Sequence, residues 1–233
     1  MIIIGLTGGI STGKSTVSKQ LKTQYHLPIV DADLIAREVV EPGKPAYKEI
    51  VRYFHNLVPG LLIEDSKQLN RPALGKAVFN NEMYRKKLNS IVHPAVRSEI
   101  AKQVIKNWVL GKSAVILDVP LLFETRLDKF CGVNVAVLCS EESQLERLMK
   151  RDNISEEDAK SRIAAQMPLS EKRARADIVI ENNGTLDELF STLHQIANRP
   201  PFKRPHWLTF LQWIPPIGAL WAFFVYWKRG FAV

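Results

Sequence analysis

The fold is decided near the amino terminus by the sequence Gly8-Gly9-Ile10-Ser11-Thr12-Gly13-Lys14-Ser15. This octapeptide has the spacing G-x-x-x-x-G-K-[ST], and it lies between an apolar run at Ile2–Leu6 and a helical pattern at Lys14–Gln24. Glycines let successive backbone N–H groups point at phosphate oxygens, and the following helix contributes its positive amino terminus. We therefore predict a nucleotide-binding phosphate loop, a P-loop. Lys14 is predicted to reach the β- and γ-phosphates, and the Ser15 hydroxyl to bind Mg²⁺.

Apolar runs rich in β-branched residues recur along the chain and alternate with helical patterns. Strands of near-continuous apolar character between helices indicate an α/β fold, with a parallel sheet covered on both faces. Residues 42–112 are largely helical in pattern, and we interpret them as an insertion over one edge of the sheet that binds the substrate. The predicted strands are Ile2–Leu6, Pro28–Val30, Ala114–Val119, Val133–Leu138 and Ile178–Ile180.

Two carboxylates, Asp31 and Asp33, follow the second predicted strand. Ligands of open α/β sheets bind at the carboxyl ends of the strands, and phosphoryl transfer to an alcohol needs a base for the hydroxyl proton. We predict that Asp33 is this base and that Asp31, nearer the strand, serves in positioning or in binding Mg²⁺. The alternative is that one of them only caps the helix that begins near Leu34.

Asp118 ends the apolar run at residues 114–117, which is the pattern of a Walker B element. A carboxylate at a strand end beside a P-loop can bind Mg²⁺ directly or through water, and we predict this role for Asp118. The alternative is a turn residue that stabilises the end of the strand.

A basic region at residues 141–175 is predicted to form a lid over the nucleotide phosphates. Arg147 and Arg151 are four residues apart and share a helix face, and Arg147 is predicted to neutralise charge on the transferring phosphoryl group. The alternative is a solvated face, because several glutamates accompany the cations. The cations are Arg147, Lys150, Arg151, Lys160, Arg162, Lys172, Arg173 and Arg175.

The remaining chemically active side chains give weaker signals. His93 lies before a proline in the helical insertion, and a lone histidine is more often structural than a ligand. The five histidines share no metal-binding spacing. Cys131 and Cys139 lie in an apolar stretch, so we expect them to be core residues of a protein in a reducing compartment.

The motifs together resemble the dephospho-CoA kinase family over residues 1–198. The resemblance implies a P-loop kinase fold with a five-stranded parallel sheet, a helical CoA-substrate domain and a closing lid. The motifs are L-T-G-G-I-S-T-G-K-S (Leu6–Ser15), D-A-D (Asp31–Asp33), H-P (His93–Pro94), D-V-P-L-L-F-E (Asp118–Glu124), L-E-R-L-M-K-R (Leu145–Arg151), Gln166 followed by Pro168, and A-D-I-V-I-E-N-N-G (Ala176–Gly184).

The resemblance also implies an activity and assigns residues to it. It implies that ATP phosphorylates the ribose 3′-hydroxyl of dephospho-CoA, giving CoA and ADP, with Mg²⁺ as the metal. Asp33 would be the base on the hydroxyl, Lys14 a catalytic phosphate ligand, His93 part of the acceptor site and Arg147 the lid arginine. Two alternatives stay open: another small-molecule or nucleoside P-loop kinase, and a catalytically inactive membrane scaffold of the same fold.

The net charge of +8 is concentrated at the carboxyl terminus. Five of these eight charges belong to residues 199–233, which also hold four of the five tryptophans. We therefore divide the chain into a kinase domain, residues 1–198, and a tail, residues 199–233. No basic stripe with interleaved aromatic residues occurs in residues 1–198, so a nucleic-acid partner is not predicted. The sequence predicts no oligomeric state.

The tail contains Trp207–Trp227, a stretch without charged residues that is flanked by basic pairs. A continuous helix of this length would span about 31 Å, close to the thickness of a bilayer core. Pro215 and Pro216 interrupt it. We expect a kinked membrane anchor, with an interfacial segment or a tail folded onto the kinase as alternatives. The kinase would then face the cytosol from an intracellular membrane, either the endoplasmic reticulum or the outer mitochondrial membrane.

Overall fold

The computed structural model describes residues 1–202. These residues form two compact units, one made of Met1–Val30 with the chain from Lys106 onward, the other of Asp31–Ile105. The stretch at residues 207–227, for which a membrane anchor is predicted, lies outside the described residues. Within residues 1–202, no helix is both long enough and apolar enough to cross a bilayer.

A single sheet forms the centre of the first unit. Its strands are β1 (Ile2–Gly8), β2 (Ile29–Asp31), β3 (Ala114–Asp118), β4 (Val133–Leu138) and β5 (Ile178–Glu181). The strand order is β2-β3-β1-β4-β5, and β1 pairs in parallel with β3 and β4, as β4 does with β5. Every residue of β3 is buried, which is expected of a strand covered by helices on both faces. The predicted parallel α/β architecture is confirmed.

The helices begin where short polar side chains can cap them. The Oγ of Ser140 accepts the N–H of Ser143, and the Oγ of Ser155 accepts that of Asp158, which satisfies backbone donors that a helix leaves free at its start. The helices are α1 (Lys14–Thr23), α2 (Ala32–Glu38), α3 (Pro45–Phe54), α4 (Arg71–Phe79), α5 (Glu82–Val109), α6 (Glu141–Asp152), α7 (Glu156–Ala164), α8 (Leu169–Arg175) and α9 (Leu186–Ala197), with a short 3-10 helix at Leu127–Phe130.

One hydrophobic cluster of the first unit lies between the sheet and the helices α1 and α9. Val17 and Leu21 of α1 and Leu189 and Leu193 of α9 are buried in one cluster with inward-facing strand residues. Both cysteines are buried free thiols, so their predicted place in the core is confirmed.

The second unit is helical and has a core of its own. Ala46, Ile50 and Phe54 are spaced by four residues along α3 and are all buried, because this spacing places them on one face of the helix. The ring of Phe54 packs edge-on against Tyr84 of α5, with 5.8 Å between the ring centroids. This unit begins at Asp31, the last residue of β2, and also contains the predicted site residues Asp33 on α2 and His93 on α5.

The carboxyl ends of the parallel strands place chemically useful residues along one edge of the first unit. β1 leads directly into the predicted P-loop, and β3 ends at Asp118. β5 is followed by Asn182, whose N–H donates to the carbonyl of Leu138 at the end of β4 with an N···O distance of 2.8 Å. Binding sites of open parallel sheets form at this edge.

Candidate active site

The P-loop joins β1 to α1 in a tightly curled conformation. Gly13 has φ 97° and Ser11 has φ 60°, so the backbone enters the left-handed region twice. A Cβ atom at Gly8 would lie 2.7 Å from the carbonyl oxygen of Val137. The first turn of α1 receives no side-chain hydrogen bond from its N-cap residue, and an amino terminus of this kind attracts anions.

An ion pair joins the P-loop to the end of β3. The Nζ of Lys14 lies 2.5 Å from Oδ1 of Asp118, and the exposed fractions of the two side chains are 15% and 6%. The structure therefore brings together two of the residues that the sequence assigns to the phosphates and the metal. Because both groups are removed from water, each charge depends on the other unless a ligand supplies new partners.

Arg147 reaches the P-loop through one intermediate residue. Its Nη1 donates to the backbone carbonyl of Asn182 at 2.8 Å, and Nδ2 of Asn182 donates to the carbonyl of Thr12 at 2.9 Å. A Cβ atom at Gly13 would lie 2.2 Å from Nδ2 of Asn182, so this position needs glycine both for its φ and for the space. The predicted lid arginine is thus connected to the loop it was predicted to cover.

Two glutamines hold one residue of the P-loop. The backbone N–H of Ile10 donates to Oε1 of Gln166, and Nε2 of Gln144 donates to the carbonyl oxygen of Ile10, both with 2.9 Å between the heavy atoms. Gln144 is a residue of α6 and is 2% exposed. Gln166 lies between α7 and α8. Both backbone polar groups of Ile10 are therefore bonded to side chains from the predicted lid region.

A buried ion pair fixes α8 to the segment after β3. The side chain of Lys172 has no exposed surface, and its Nζ lies 2.7 Å from Oε1 of Glu124. The Nζ also donates to the carbonyl of Pro120 at 3.2 Å, and the N–H of Met167 donates to Oε1 of Glu124 at 3.2 Å. Lys172 was predicted among the lid cations facing phosphates. In the structure its ammonium group is instead paired with the carboxylate of Glu124.

The pKa of Glu124 reflects these contacts. Burial alone would raise it, but the hydrogen bonds from Lys172 and from backbone N–H groups, with the charge of Lys172, hold the pKa of this carboxyl below its ordinary value. The group is therefore ionised throughout the neutral range, as an anchor for a lysine must be.

A cavity of about 470 Å³ lies beside the P-loop within the first unit. Gly9 forms part of its wall, and α6, α7 and the start of α8 form the rest. Gln144 and Gln166 both line it, so the two glutamines that hold Ile10 also border open space next to the loop. The cavity is further lined by Glu141, Leu145, Lys160, Ile163, Ala164, Met167, Pro168 and Leu169.

The predicted site residues of the second unit are positioned by α2 and α5. Asp31 is the N-cap of α2, and its Oδ1 accepts the N–H groups of Asp33 and Leu34 at 2.9 and 3.0 Å. One aspartate therefore caps the helix, which was the alternative weighed from the sequence. Asp33 lies in the first turn of α2 and is exposed, and His93 is exposed on α5 immediately before the internal proline.

Comparison with known proteins decides the family. The family described as dephospho-CoA kinase matches residues 2–188. This chain belongs to that family. A dephospho-CoA kinase of Saccharomyces cerevisiae is 49% identical over 222 residues, covering 94% of this chain and 90% of the relative. The predicted family and the predicted enzyme class, a phosphotransferase, are confirmed.

Solved structures agree with this assignment of a dephospho-CoA kinase fold. A dephospho-CoA kinase from Campylobacter jejuni has a TM-score of 0.67 at 27% identity, covering 84% of this chain and 95% of that chain. A protein from Thermus thermophilus has a TM-score of 0.70 at 35% identity with the same two coverages. The predicted P-loop kinase fold is confirmed.

The residues of this dephospho-CoA kinase family member suit a magnesium ion that is shared with a nucleotide. A serine hydroxyl and an aspartate carboxylate, from Ser15 and Asp118, are oxygen ligands of the kind that Mg²⁺ prefers. Among residues 1–202 no group of three or more His, Cys, Asp or Glu side chains could hold a metal ion. Magnesium in kinases is usually bound through one or two carboxylates together with substrate phosphates and water.

Sequence reasoning did not assign roles to several residues that shape this site. Asn182 and Gln166 belong to the motifs that resemble the family, but the sequence analysis gave neither residue a role of its own. Gln144 lies beside the L-E-R-L-M-K-R motif and could have been suspected as an amide on the buried face of α6. No pattern in the sequence indicates that Lys172 is buried while its neighbours are exposed.

We predict that Glu124→Gln lowers the free energy of unfolding by about 2 kcal/mol at pH 7, because it leaves the buried Lys172 ammonium without its counterion. The folded-state pKa of Glu124 is lowered, so its contribution is present at neutral pH and disappears as the pH falls through that pKa. The difference between wild type and variant should shrink below the ordinary glutamate pKa of 4.5. Urea unfolding at several pH values measures it.

A matched control is Glu156→Gln. Glu156 pairs with Lys160 at 2.6 Å, but both side chains are more than half exposed, so this variant should lower the stability much less than Glu124→Gln does. Equal losses in the two variants at pH 7 would contradict the role assigned to Lys172 and Glu124.

Proposed function

We propose that the chain transfers the γ-phosphoryl group of ATP to the ribose 3′-hydroxyl of dephospho-CoA, giving CoA and ADP in the last step of CoA biosynthesis. The observation that carries the proposal is a complete P-loop, with Lys14 paired to Asp118, in a chain whose family match spans residues 2–188. Intact Lys14, Ser15 and Asp33 argue against an inactive scaffold.

The first unit is proposed to bind ATP. Backbone N–H groups of residues 8–15 and the amino terminus of α1 would bind the phosphates, as expected of a P-loop. Lys14 would exchange Asp118 for the β- and γ-phosphates, and Arg147 would neutralise charge that develops on the transferring group. Ser15 and Asp118 would hold Mg²⁺, which when bound supplies positive charge between the phosphates.

The second unit is proposed to supply the base and part of the acceptor site. Asp33 is exposed in the first turn of α2, while Asp31 is committed to capping that helix. The carboxylate of Asp33 would accept the proton of the ribose 3′-hydroxyl as its oxygen bonds to the γ-phosphorus and ADP departs. His93 would contact the acceptor.

The proposed acceptor is tested by incubating the purified full-length chain with ATP, Mg²⁺ and a panel of alcohols. Dephospho-CoA should be converted to CoA, whereas adenosine, other nucleosides and shikimate should give at most about one hundredth of that kcat/KM. Chromatography and mass spectrometry identify the product and the phosphorylated oxygen. Phosphorylation of a nucleoside in preference to dephospho-CoA would refute the assignment.

The two aspartates are separated by paired substitutions. Asp33→Asn should lower kcat by about 10²–10⁴-fold, because the amide cannot accept the hydroxyl proton, with little change in the KM for ATP. Asp31→Asn is the control, since asparagine caps a helix as well as aspartate does. That variant should keep a kcat close to that of wild type, because the helix that carries Asp33 stays capped. Equal turnover by Asp33→Asn and wild type would overturn the proposed base.

We propose further that the tail attaches the enzyme to an intracellular membrane, with residues 1–198 facing the cytosol where ATP is available. The endoplasmic reticulum and the outer mitochondrial membrane are the candidates. The similarity to the S. cerevisiae relative extends over 222 residues and covers 94% of this chain. This is a longer stretch than the kinase domain, residues 1–198. The relative therefore shares part of this segment.

The position of the last described residue supports this proposal. Helices α1 and α9 return from the carboxyl edge of the sheet to the opposite edge, where Tyr25 Oη lies 3.2 Å from Nδ1 of His194. Phe202, the last described residue, is buried in the core that includes Ile2, the first residue of β1. A membrane at this edge would leave the P-loop, at the other edge, open to the cytosol.

Exposed apolar residues occur at the same edge. Trp108, Val109 and Leu110 lie just before β3, with exposed fractions of 39%, 55% and 62%, and Lys106 and Lys112 flank them. Tryptophan beside lysine is typical of protein surfaces that meet lipid head groups. These residues would add to the contact made by the tail.

Membrane attachment is tested by fractionating cells that express the full-length chain. The protein should sediment with membranes and stay in the pellet after carbonate extraction. High pH releases proteins that are held at the membrane surface by charge, but it does not extract an apolar segment that is long enough to enter the bilayer core. A chain truncated after Phe202 is the control and should stay in the supernatant. Release of the full-length protein by carbonate would exclude an integral anchor.

A further inference from the structure

We propose that Gln144 and Gln166 are positioning residues for the P-loop, and that together they set its affinity for nucleotide phosphates. We call the pair, with the backbone of Ile10 between them, the glutamine clamp. The inference rests on the proposed function in that the phosphates are those of ATP and ADP. It adds two residues that do not themselves need to contact the substrates.

The hydrogen-bonding roles of the two side chains are fixed by the backbone they face. An N–H can only donate and a carbonyl can only accept, so Gln166 presents its oxygen to the N–H of Ile10. Gln144 presents its NH₂ group to the carbonyl. Two successive peptide groups, those before and after Ile10, are therefore held from outside the loop.

The second of these peptide groups controls an unfavourable backbone conformation. The peptide that follows Ile10 leads into Ser11, which has φ 60°, a region that is unfavourable for a non-glycine residue. The Oγ of Ser11 is buried and makes no hydrogen bond, so its own side chain does not stabilise this geometry. The hydrogen bond from Gln144 therefore stabilises this turn from outside the loop. That turn orients the backbone N–H groups of the P-loop that follow it.

The packing around Gly9 shows that the clamp is built into the site. A Cβ atom at Gly9 would lie 2.6 Å from Nε2 of Gln144 and 2.7 Å from Cδ2 of Leu169. Only glycine lets α6 and the start of α8 approach the loop this closely. Gln144 is 2% exposed, so water cannot readily replace its amide on the carbonyl of Ile10.

Gln166 connects the loop to the lid region. It lies two residues after the end of α7. The next residue, Met167, donates its N–H to Glu124, which is paired with the buried Lys172. The segment that carries Gln166 is therefore also held by the hydrogen bond from Met167 to Glu124. A change in the position of α7 would be transmitted to the N–H of Ile10 through Gln166.

The test uses the full-length chain and replaces each glutamine by methionine, which has a similar length but no amide. Gln144→Met and Gln166→Met should each raise the Kd for ADP and the KM for ATP about five- to tenfold, because one backbone hydrogen bond that orients the loop is lost. The KM for dephospho-CoA should stay within about twofold, since the lost bonds lie on the P-loop. Titration calorimetry with ADP and steady-state kinetics measure these values.

The double variant and a control define the outcome. Because both bonds hold the same residue, Gln144→Met/Gln166→Met should lose less ADP affinity than the product of the single losses. Gln24→Met, at an exposed position after α1, should leave ADP binding unchanged. If Gln144→Met does not fold, Gln166→Met, at a half-buried site, carries the test. A lowered melting temperature with unchanged ADP affinity would overturn the proposal.

ADP binding needs no acceptor, so failure of this inference is distinguishable from failure of the proposed function. Glutamine-dependent ADP binding in a chain that does not phosphorylate dephospho-CoA would support the clamp and refute the acceptor. Phosphorylation of dephospho-CoA with clamp variants that bind ADP as wild type does would refute the clamp alone.

Discussion

The crowding around the P-loop backbone is the constraint on which the rest of the first unit depends. A Cβ atom at Gly8, Gly9 or Gly13 would collide with atoms of β4, α6 and the residue after β5 respectively. The loop is therefore shaped as much by its neighbours as by its own sequence. The sheet brings those neighbours to one edge because its strands are parallel, and the phosphate site exists only where they converge.

The strands and helices of the first unit could be predicted because their signals are local. All five predicted strands are present with ends within two residues of the prediction, and β1 runs on to Gly8 where an end at Leu6 was expected. Periodicity and β-branched composition fix such elements. The predictions for Lys14 and Ser15 rest on spacing alone, and the contiguous strand, loop and helix on which they depend are present.

The supporting contacts could not be predicted, because they join residues far apart in sequence. Ile10 and Gln166 are separated by 156 positions, and Thr12 and Asn182 by 170. A single sequence holds no record of which side chains meet across such distances. The same limit explains Lys172: within a basic stretch, only the three-dimensional position of Glu124 decides that one cation is buried.

The complete burial of Lys172 has a consequence for amine chemistry. An acylating reagent modifies an amine only when it can reach it, and the amine of Lys172 is paired with Glu124 and has no exposed surface. Its neighbours Arg173 and Arg175 carry no amine, so Lys172 is an isolated reporter in its helix. Its labelling in a mass-spectrometric footprint would register only those moments when α8 separates from the segment after β3.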